Sequence, residues 1–218
     1  MSRRVVLVVV VLAMLALSES SEAAELRGRV VSTDGTGVAG AVVFVRTPAT
    51  PPAAGTPARS AVMDQIDKQF VPHVLPIAVG TEVRFPNHDQ IHHHVYSFSR
   101  VKSFDLPLSK GEEAAPVLFD VPGVVKVGCN IHDWMMGVIL VVPTASFATT
   151  DDGGAFTLRD VPTGEVTIGA WHEASETTLD DATQRLTIGA GDAPPLTFTL
   201  AVRPEKARPP THGDRGQP

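Results

Sequence analysis

The sequence predicts an all-β protein assembled from sandwiches. Three observations carry that prediction. Short runs of Val, Ile, Leu and Phe are interrupted by turn residues at close intervals along the whole chain. The 218 residues include 18 Gly and 18 Pro, well above the roughly 12% of average usage. No segment holds a helical hydrophobic period beyond a turn or two.

Composition then narrows the function classes. With 43% hydrophobic and 19% charged residues, the chain is too apolar to be wholly disordered. A net charge of −6 argues against nucleic acid as a partner, because that binding depends on Lys and Arg neutralising phosphates. Cys129 is the single cysteine. One cysteine excludes an internal disulfide framework, a two-cysteine copper centre and a four-cysteine zinc or iron–sulfur site.

Taken in order, residues 1–23 read as a signal peptide. Arg3 and Arg4 precede an unbroken apolar run over residues 5–17, and Ser21-Glu22-Ala23 offers a small-x-small cleavage site. The run is shorter than the ~20 residues a bilayer needs, so an uncleaved anchor is the weaker alternative. The expected mature protein is periplasmic or secreted and does not span a membrane after cleavage. Residues 24–46 supply opening strands at 29–32 and 41–46, separated by the turn Asp34-Gly35-Thr36-Gly37. Residues 47–60 are a Pro/Ala-rich linker.

Residues 61–143 form the first full strand series. Its candidate strands lie at 62–70, 74–78, 81–85, 92–98, 117–119, 124–127 and 137–142. Residues 144–202 form a second series, with strands at 155–158, 165–170 and 196–202. The Pro- and Gly-rich segment 203–218 is expected to be disordered.

The chemistry concentrates in Cys129-Asn130-Ile131-His132-Asp133-Trp134-Met135-Met136, a loop between two apolar strands. Thiolate, imidazole and thioether are the donors that suit copper. A tight turn brings all three side by side with little chain entropy to lose. A second imidazole must come from elsewhere, and His92-His93-His94 is the obvious source. Two His, one Cys thiolate and a weak axial Met make the blue-copper electron-transfer set.

These residues resemble the cupredoxin family. The resemblance rests on Val83-x-Phe85-x-Asn87, His93-x-Val95 and Cys129-x-x-His132-x-x-Met135, with a short ligand loop like that of amicyanin. It is nearest to bacterial cupredoxin-like sequences labelled "methylamine utilization protein". Those share Met63-Asp64-Gln65, Phe70-x-Pro72, His93-His94-Val95-Tyr96-Ser97-Phe98-Ser99 and Cys129-Asn130-Ile131-His132-Asp133-Trp134-Met135. The resemblance implies a Greek-key cupredoxin sandwich or barrel over 61–143, holding one type 1 copper through His93, Cys129, His132 and Met135. Asn87, His94 and Met136 are the supporting or alternative residues. His94 stands where the family pattern usually has Asn, and three consecutive histidines leave the register open by one. His132 and Trp134 form the expected electron port.

The flanks resemble a carboxypeptidase-regulatory-like, transthyretin-type sandwich. The resemblance rests on Gly28-x-Val30 and Val38-x-Gly40-Ala41-x-Val43, with Gly154-x-Phe156-x-Leu158 and Val161-Pro162-x-Gly164-x-Val166-x-Ile168. Residues 24–46 belong either to that sandwich or to the cupredoxin as extra strands. The fold is also grouped with carbohydrate-binding modules, for which Trp171 would be the lone candidate platform.

The remaining candidates read plainly. His73, His88, His172 and His212 are surface or supporting residues, and Phe85 and Phe119 are core. No group orients Cys129 and His132 as a nucleophilic pair, so no enzyme activity is expected. The expected function is one-electron transfer with a cytochrome c or a periplasmic dehydrogenase, linked by the resemblance to methylamine or related oxidation. The alternatives are a copper-carrying or sensing protein, or a carbohydrate-binding-like module.

Overall fold

A computed structural model describes residues 24–46, 59–108, 114–175, 178–189 and 194–203. The expected signal peptide, most of the linker and the tail beyond Arg203 lie outside them. Every regular element among the described residues is a strand. The opening pair is β1 (Ala24–Ser32) and β2 (Val42–Val45). Next come β3 (Arg59–Val62), β4 (Asp64–Ile66), β5 (Gln69–Val71), β6 (Val74–Ala78) and β7 (Thr81–Arg84). β8 (His93–Phe98), β9 (Ser103–Leu108), β10 (Val117–Phe119), β11 (Gly123–Cys129) and β12 (Met136–Val142) complete that series. The chain closes with β13 (Phe147–Thr149), β14 (Ala155–Val161), β15 (Gly164–Trp171), β16 (Thr183–Ile188) and β17 (Leu196–Leu200).

Two sandwiches result. In the first, a sheet in the order β6-β12-β11-β8-β9 packs on the sheet β10-β7-β3. Met63, Phe70, Phe85, Phe119, Val125, Val127 and Ile139 fill the space between them, together with Cys129 and Met135. In the second, the sheet β14-β1-β17 packs on β13-β2-β15-β16, around Leu26, Val30, Val43, Leu158, Ile168 and Leu200. Alternation of buried and exposed residues along β14 is the period-2 signature of a half-buried strand.

The pairings decide where the opening strands belong. β1 pairs with β14 and β17, and β2 pairs with β13 and β15. Residues 24–46 therefore share both sheets of the second sandwich, and the first sandwich is inserted between them and β13. A third apolar cluster of Val42, Phe44, Leu140, Val142 and Trp171 joins the two. β12 serves both cores: Ile139 and Val141 face the first, Leu140 and Val142 face the junction.

Several sequence expectations need correction. Residues 59 and 60, assigned to the linker, lie in β3, which pairs in parallel with β7. The single strand expected over 62–70 is the end of β3 followed by the hairpin β4–β5. Its two turn residues, Asp67 and Lys68, both have positive φ, at 52° and 57°. That is the conformation of a type I′ turn, which normally selects Asn and Gly, so the sequence hid it. Trp171 is buried in the junction rather than exposed, which removes the candidate sugar platform. Arg203, placed in the tail, still donates its amide to the Ala174 carbonyl at 3.0 Å.

Candidate metal centre

Strand register brings the first two donors together. Cys129 ends β11 directly opposite Val95 of β8. Residues opposite one another across an antiparallel pair share a face, and His93, two residues before Val95, shares it too. His93 and Cys129 are both buried, whereas His92 is exposed and His94 half-buried on the other face, with its Nε2 bonded to Asp105. The burial therefore separates His93 from its two histidine neighbours.

The loop after Cys129 supplies the third donor. The amide of Met135 donates to the His132 carbonyl at 2.9 Å, and the Cys129 amide to the Met135 carbonyl at 3.1 Å. The Asn130 amide bonds the His94 carbonyl at 3.0 Å, pinning the loop to β8. This tight closure swings His132 back over the thiol. Nδ1 of His93 and Nδ1 of His132 each stand 3.6 Å from Cys129 Sγ. The three donor atoms lie within 4.8 Å of one another. Donors about 2.0–2.3 Å from one transition-metal ion at tetrahedral angles would be separated by roughly 3.3–3.8 Å, the range in which both Sγ–Nδ1 separations of 3.6 Å fall.

Met135 is fully buried in the same core cluster as Cys129, while Met136 is 52% exposed. Asn87 is buried and acts on the main chain. Its Nδ2 donates to the Ile91 carbonyl at 3.0 Å, and its Oδ1 accepts from the Asp89 amide at 2.9 Å. It knits the loop that delivers β8.

Sequence reasoning missed Asp89. Its Oδ2 accepts from His93 Nε2 at 2.7 Å. A ring that donates from Nε2 keeps its other lone pair on Nδ1, the nitrogen turned toward Cys129. The same carboxylate accepts the amides of Asp67 and Lys68 at 2.6 and 2.8 Å. One side chain thus orients His93 and holds the unusual turn of the β4–β5 hairpin. Burial alone would raise the Asp89 pKa, but the Lys68 amide, the His93 ring and the Asp67 amide outweigh it and hold the carboxyl below its ordinary value. The available signal was a carboxylate four residues before a candidate ligand.

His132 is half-buried and faces outward more than His93. Burial first, then the charges of His93 and Lys68, hold its pKa below the ordinary histidine value, with Asp89 opposing. Its ring centroid lies 5.4 Å from that of Trp134, which is 63% exposed. Ile131 and Met136 are exposed beside it in sequence. Trp134 therefore does not pack inward.

Fold and site together define an all-β protein in which one end of a sandwich gathers two imidazoles and a thiol at metal-binding separation. Several solved structures bear a likeness to the chain, three of which follow. A purple cupredoxin from Nitrosopumilus maritimus is 26% identical over 38% of this chain and 98% of its own, with a TM-score of 0.34. A reduced tryptophan-to-tyrosine mutant of amicyanin is 22% identical over 45% of this chain and 97% of its own, with a TM-score of 0.36. The copper-containing nitrite reductase of Thermus scotoductus is 28% identical over 44% of this chain, with a TM-score of 0.37, and the match spans only 25% of that enzyme. No family model and no curated protein matches. No described helix is long and apolar enough to cross a membrane.

Proposed function

We propose that this chain is a cupredoxin-like, mononuclear copper protein that carries single electrons and is not itself an enzyme. The observation that supports this best is the buried pair His93–Cys129 closed by the partly accessible His132, each imidazole Nδ1 3.6 Å from the thiol. A thiolate and two imidazoles suit copper, and a weak thioether added to them makes the blue-copper donor set. In this reading His93, Cys129 and His132 would hold one copper ion of type 1 character, with Met135 as a weaker fourth donor. Bound copper would supply the one-electron couple, and the protein's part is to hold the donors. Asp89 fixes the His93 ring, and the 129–135 turn fixes the other two, so little rearrangement accompanies a change of charge.

Electrons leave through His132 in this proposal, under an exposed rim of Ile131, Trp134 and Met136. The net charge of −6 favours a basic partner such as a cytochrome c. A periplasmic dehydrogenase is the other expected partner, with methylamine or a related amine as the oxidised substrate. Export to the periplasm or beyond is part of the same reading.

The test has two steps. The chain loaded with one equivalent of Cu(II) should show an intense thiolate-to-copper band toward the red end of the visible. Trp134→Lys with Met136→Lys should keep that band yet slow electron exchange with a small c-type cytochrome. Absence of the band overturns the copper reading. A kept band with unchanged exchange overturns the port and favours a copper-carrying role.

A further inference from the structure

We propose that Glu173 is a positioning residue for the metal centre: acting through His73, it fixes the main chain where the ligand loop enters β12 and so ties the second sandwich to the site. The inference rests on the copper reading above. His73 lies between β5 and β6, in the first sandwich. Its Nδ1 stands 3.0 Å from the Met136 carbonyl oxygen, and its Nε2 stands 2.7 Å from Glu173 Oε2. Both partners are oxygens able to accept from a ring N–H. Glu173 follows β15, so this ring bridges the two sandwiches at the carbonyl of Met136, the residue after Met135.

The surroundings make that point a stiff one. The His73 carbonyl accepts the Val138 amide at 2.8 Å. A Cβ on Gly137 would lie 3.0 Å from Phe70 Cβ and 3.2 Å from the His73 carbonyl oxygen. The start of β12 is thus packed closely against the 70–73 segment and hydrogen-bonded to it. Beyond it, Leu140 and Val142 are buried in the junction with Val42, Phe44 and Trp171. The second sandwich therefore holds β12 along its length, and the His73–Glu173 pair is the polar end of that grip. His73 and Glu173 side chains are each about a third exposed, at 32% and 35%. Such a pair adds little to global stability; its consequence is where the Met136 carbonyl sits, one residue from the expected axial ligand.

The experiment uses the full chain. Glu173→Ala removes the acceptor, Glu173→Gln keeps an oxygen that accepts from Nε2–H, and Glu165→Ala, in an exposed ion pair with Arg185 on the same sandwich, is the control. Two readouts apply: the position of the thiolate band with one Cu(II) bound, and amide hydrogen exchange of Met136 and Val138 in the metal-free chain. Glu173→Ala should displace the band and speed exchange at Val138 about fivefold, Glu173→Gln should restore both toward the parent, and Glu165→Ala should change neither. Parental band and exchange in Glu173→Ala, or equal effects in Glu165→Ala, overturn the proposal. A parent without any thiolate band overturns the copper reading instead, and the exchange readout still decides whether Glu173 holds the strand.

Discussion

The two sandwiches use the same strand physics and differ in what they bury. The second core is aliphatic and aromatic throughout, from Leu26 to Leu200. Nearby buried polar groups are hydroxyls bonded to backbone: Thr150 Oγ1 donates to the Val38 carbonyl at 2.7 Å, and Thr144 Oγ1 to the Val45 carbonyl at 3.0 Å. The first core instead admits an imidazole and a thiol at one end, His93 and Cys129, held 3.6 Å apart. Burying polar groups costs free energy unless they are well partnered. The second sandwich spends its buried polar groups on closing turns, whereas the first leaves two soft donors facing one another. In the proposed reading, that asymmetry makes the first sandwich the chemical one and the second its support.

The sharpest way to break the comparison is to remove the thiol. Cys129→Ser should abolish the thiolate-to-copper band completely while leaving both sandwiches folded, because the loop is closed by main-chain bonds at Met135 and Asn130 rather than by sulfur. Visible absorption and circular dichroism on the same sample check this. A persisting band would mean that it does not arise from a thiolate, since the chain has no other cysteine.

Much of this organisation was legible in the sequence, and the failures have a common cause. Strands at the centre of a sheet, such as β11 and β12, carry dense apolar runs and stood out. The strands without a sequence signal, β9, β13 and β16, are sheet edges, where exposed residues such as Thr183, Arg185 and Pro107 dilute the pattern. Edge strands tolerate Pro and charge because one row of their backbone groups faces away from the sheet. The grouping of His93, Cys129 and His132 was legible because Cys129 and His132 are close in sequence and His93 alternates with its neighbours across β8. Asp89 was not, since its role depends on a hairpin whose Asp67-Lys68 turn lacks the usual residues. The His73–Glu173 bridge joins positions 100 residues apart, which no local pattern reveals.

A smaller effect should follow from the second core. Ile168 is fully buried there, and Ile168→Ala should cost about 2–5 kcal/mol by lost burial and the cavity left behind. The folded fraction should keep the parental thiolate band, because Ile168 belongs to the second core and not to the junction cluster that grips β12. Denaturant unfolding followed at the band and in the far ultraviolet separates the two quantities. A displaced band would show that the support role extends through the whole second core.

Asp89 allows a finer cut inside the first sandwich. Asp89→Ala removes the acceptor of His93 Nε2 and of two turn amides at once, and should weaken copper binding by about 10–100-fold, the usual cost of losing a partner behind a metal-bound histidine. Asp89→Asn keeps one accepting oxygen and should fall between the variant and the parent. Asp133→Ala, on the exposed side of the loop, should leave affinity unchanged. Competition titration with a chelator reads all three. Equal affinities for Asp89→Ala and the parent would mean that β8 alone orients His93.

The smallest expected effect separates the sandwiches by pH in the metal-free chain. His132, in the first, is held below the ordinary histidine value by burial, then by His93 and Lys68. Between the unfolded value of ~6.5 and the lower folded one, the unfolded chain holds more protons, so stability rises with pH and is lost on acidification in that window. Asp34, in the second, is held at about 2 by the Ser32 hydroxyl first and then by the Thr36 amide. Its stabilisation is present above the unfolded value of ~3.9 and disappears as pH falls toward about 2. Both groups lie near solvent, so both slopes should be shallow. Unfolding midpoints measured from pH 7.5 downward should therefore show a first decline beginning near ~6.5 that His132→Gln reduces, and a second below ~4 that Asp34→Asn reduces. If Asp34→Asn flattened the upper decline instead, acid sensitivity near neutrality would belong to the support rather than to the site, and the division of labour drawn between the two sandwiches would be wrong.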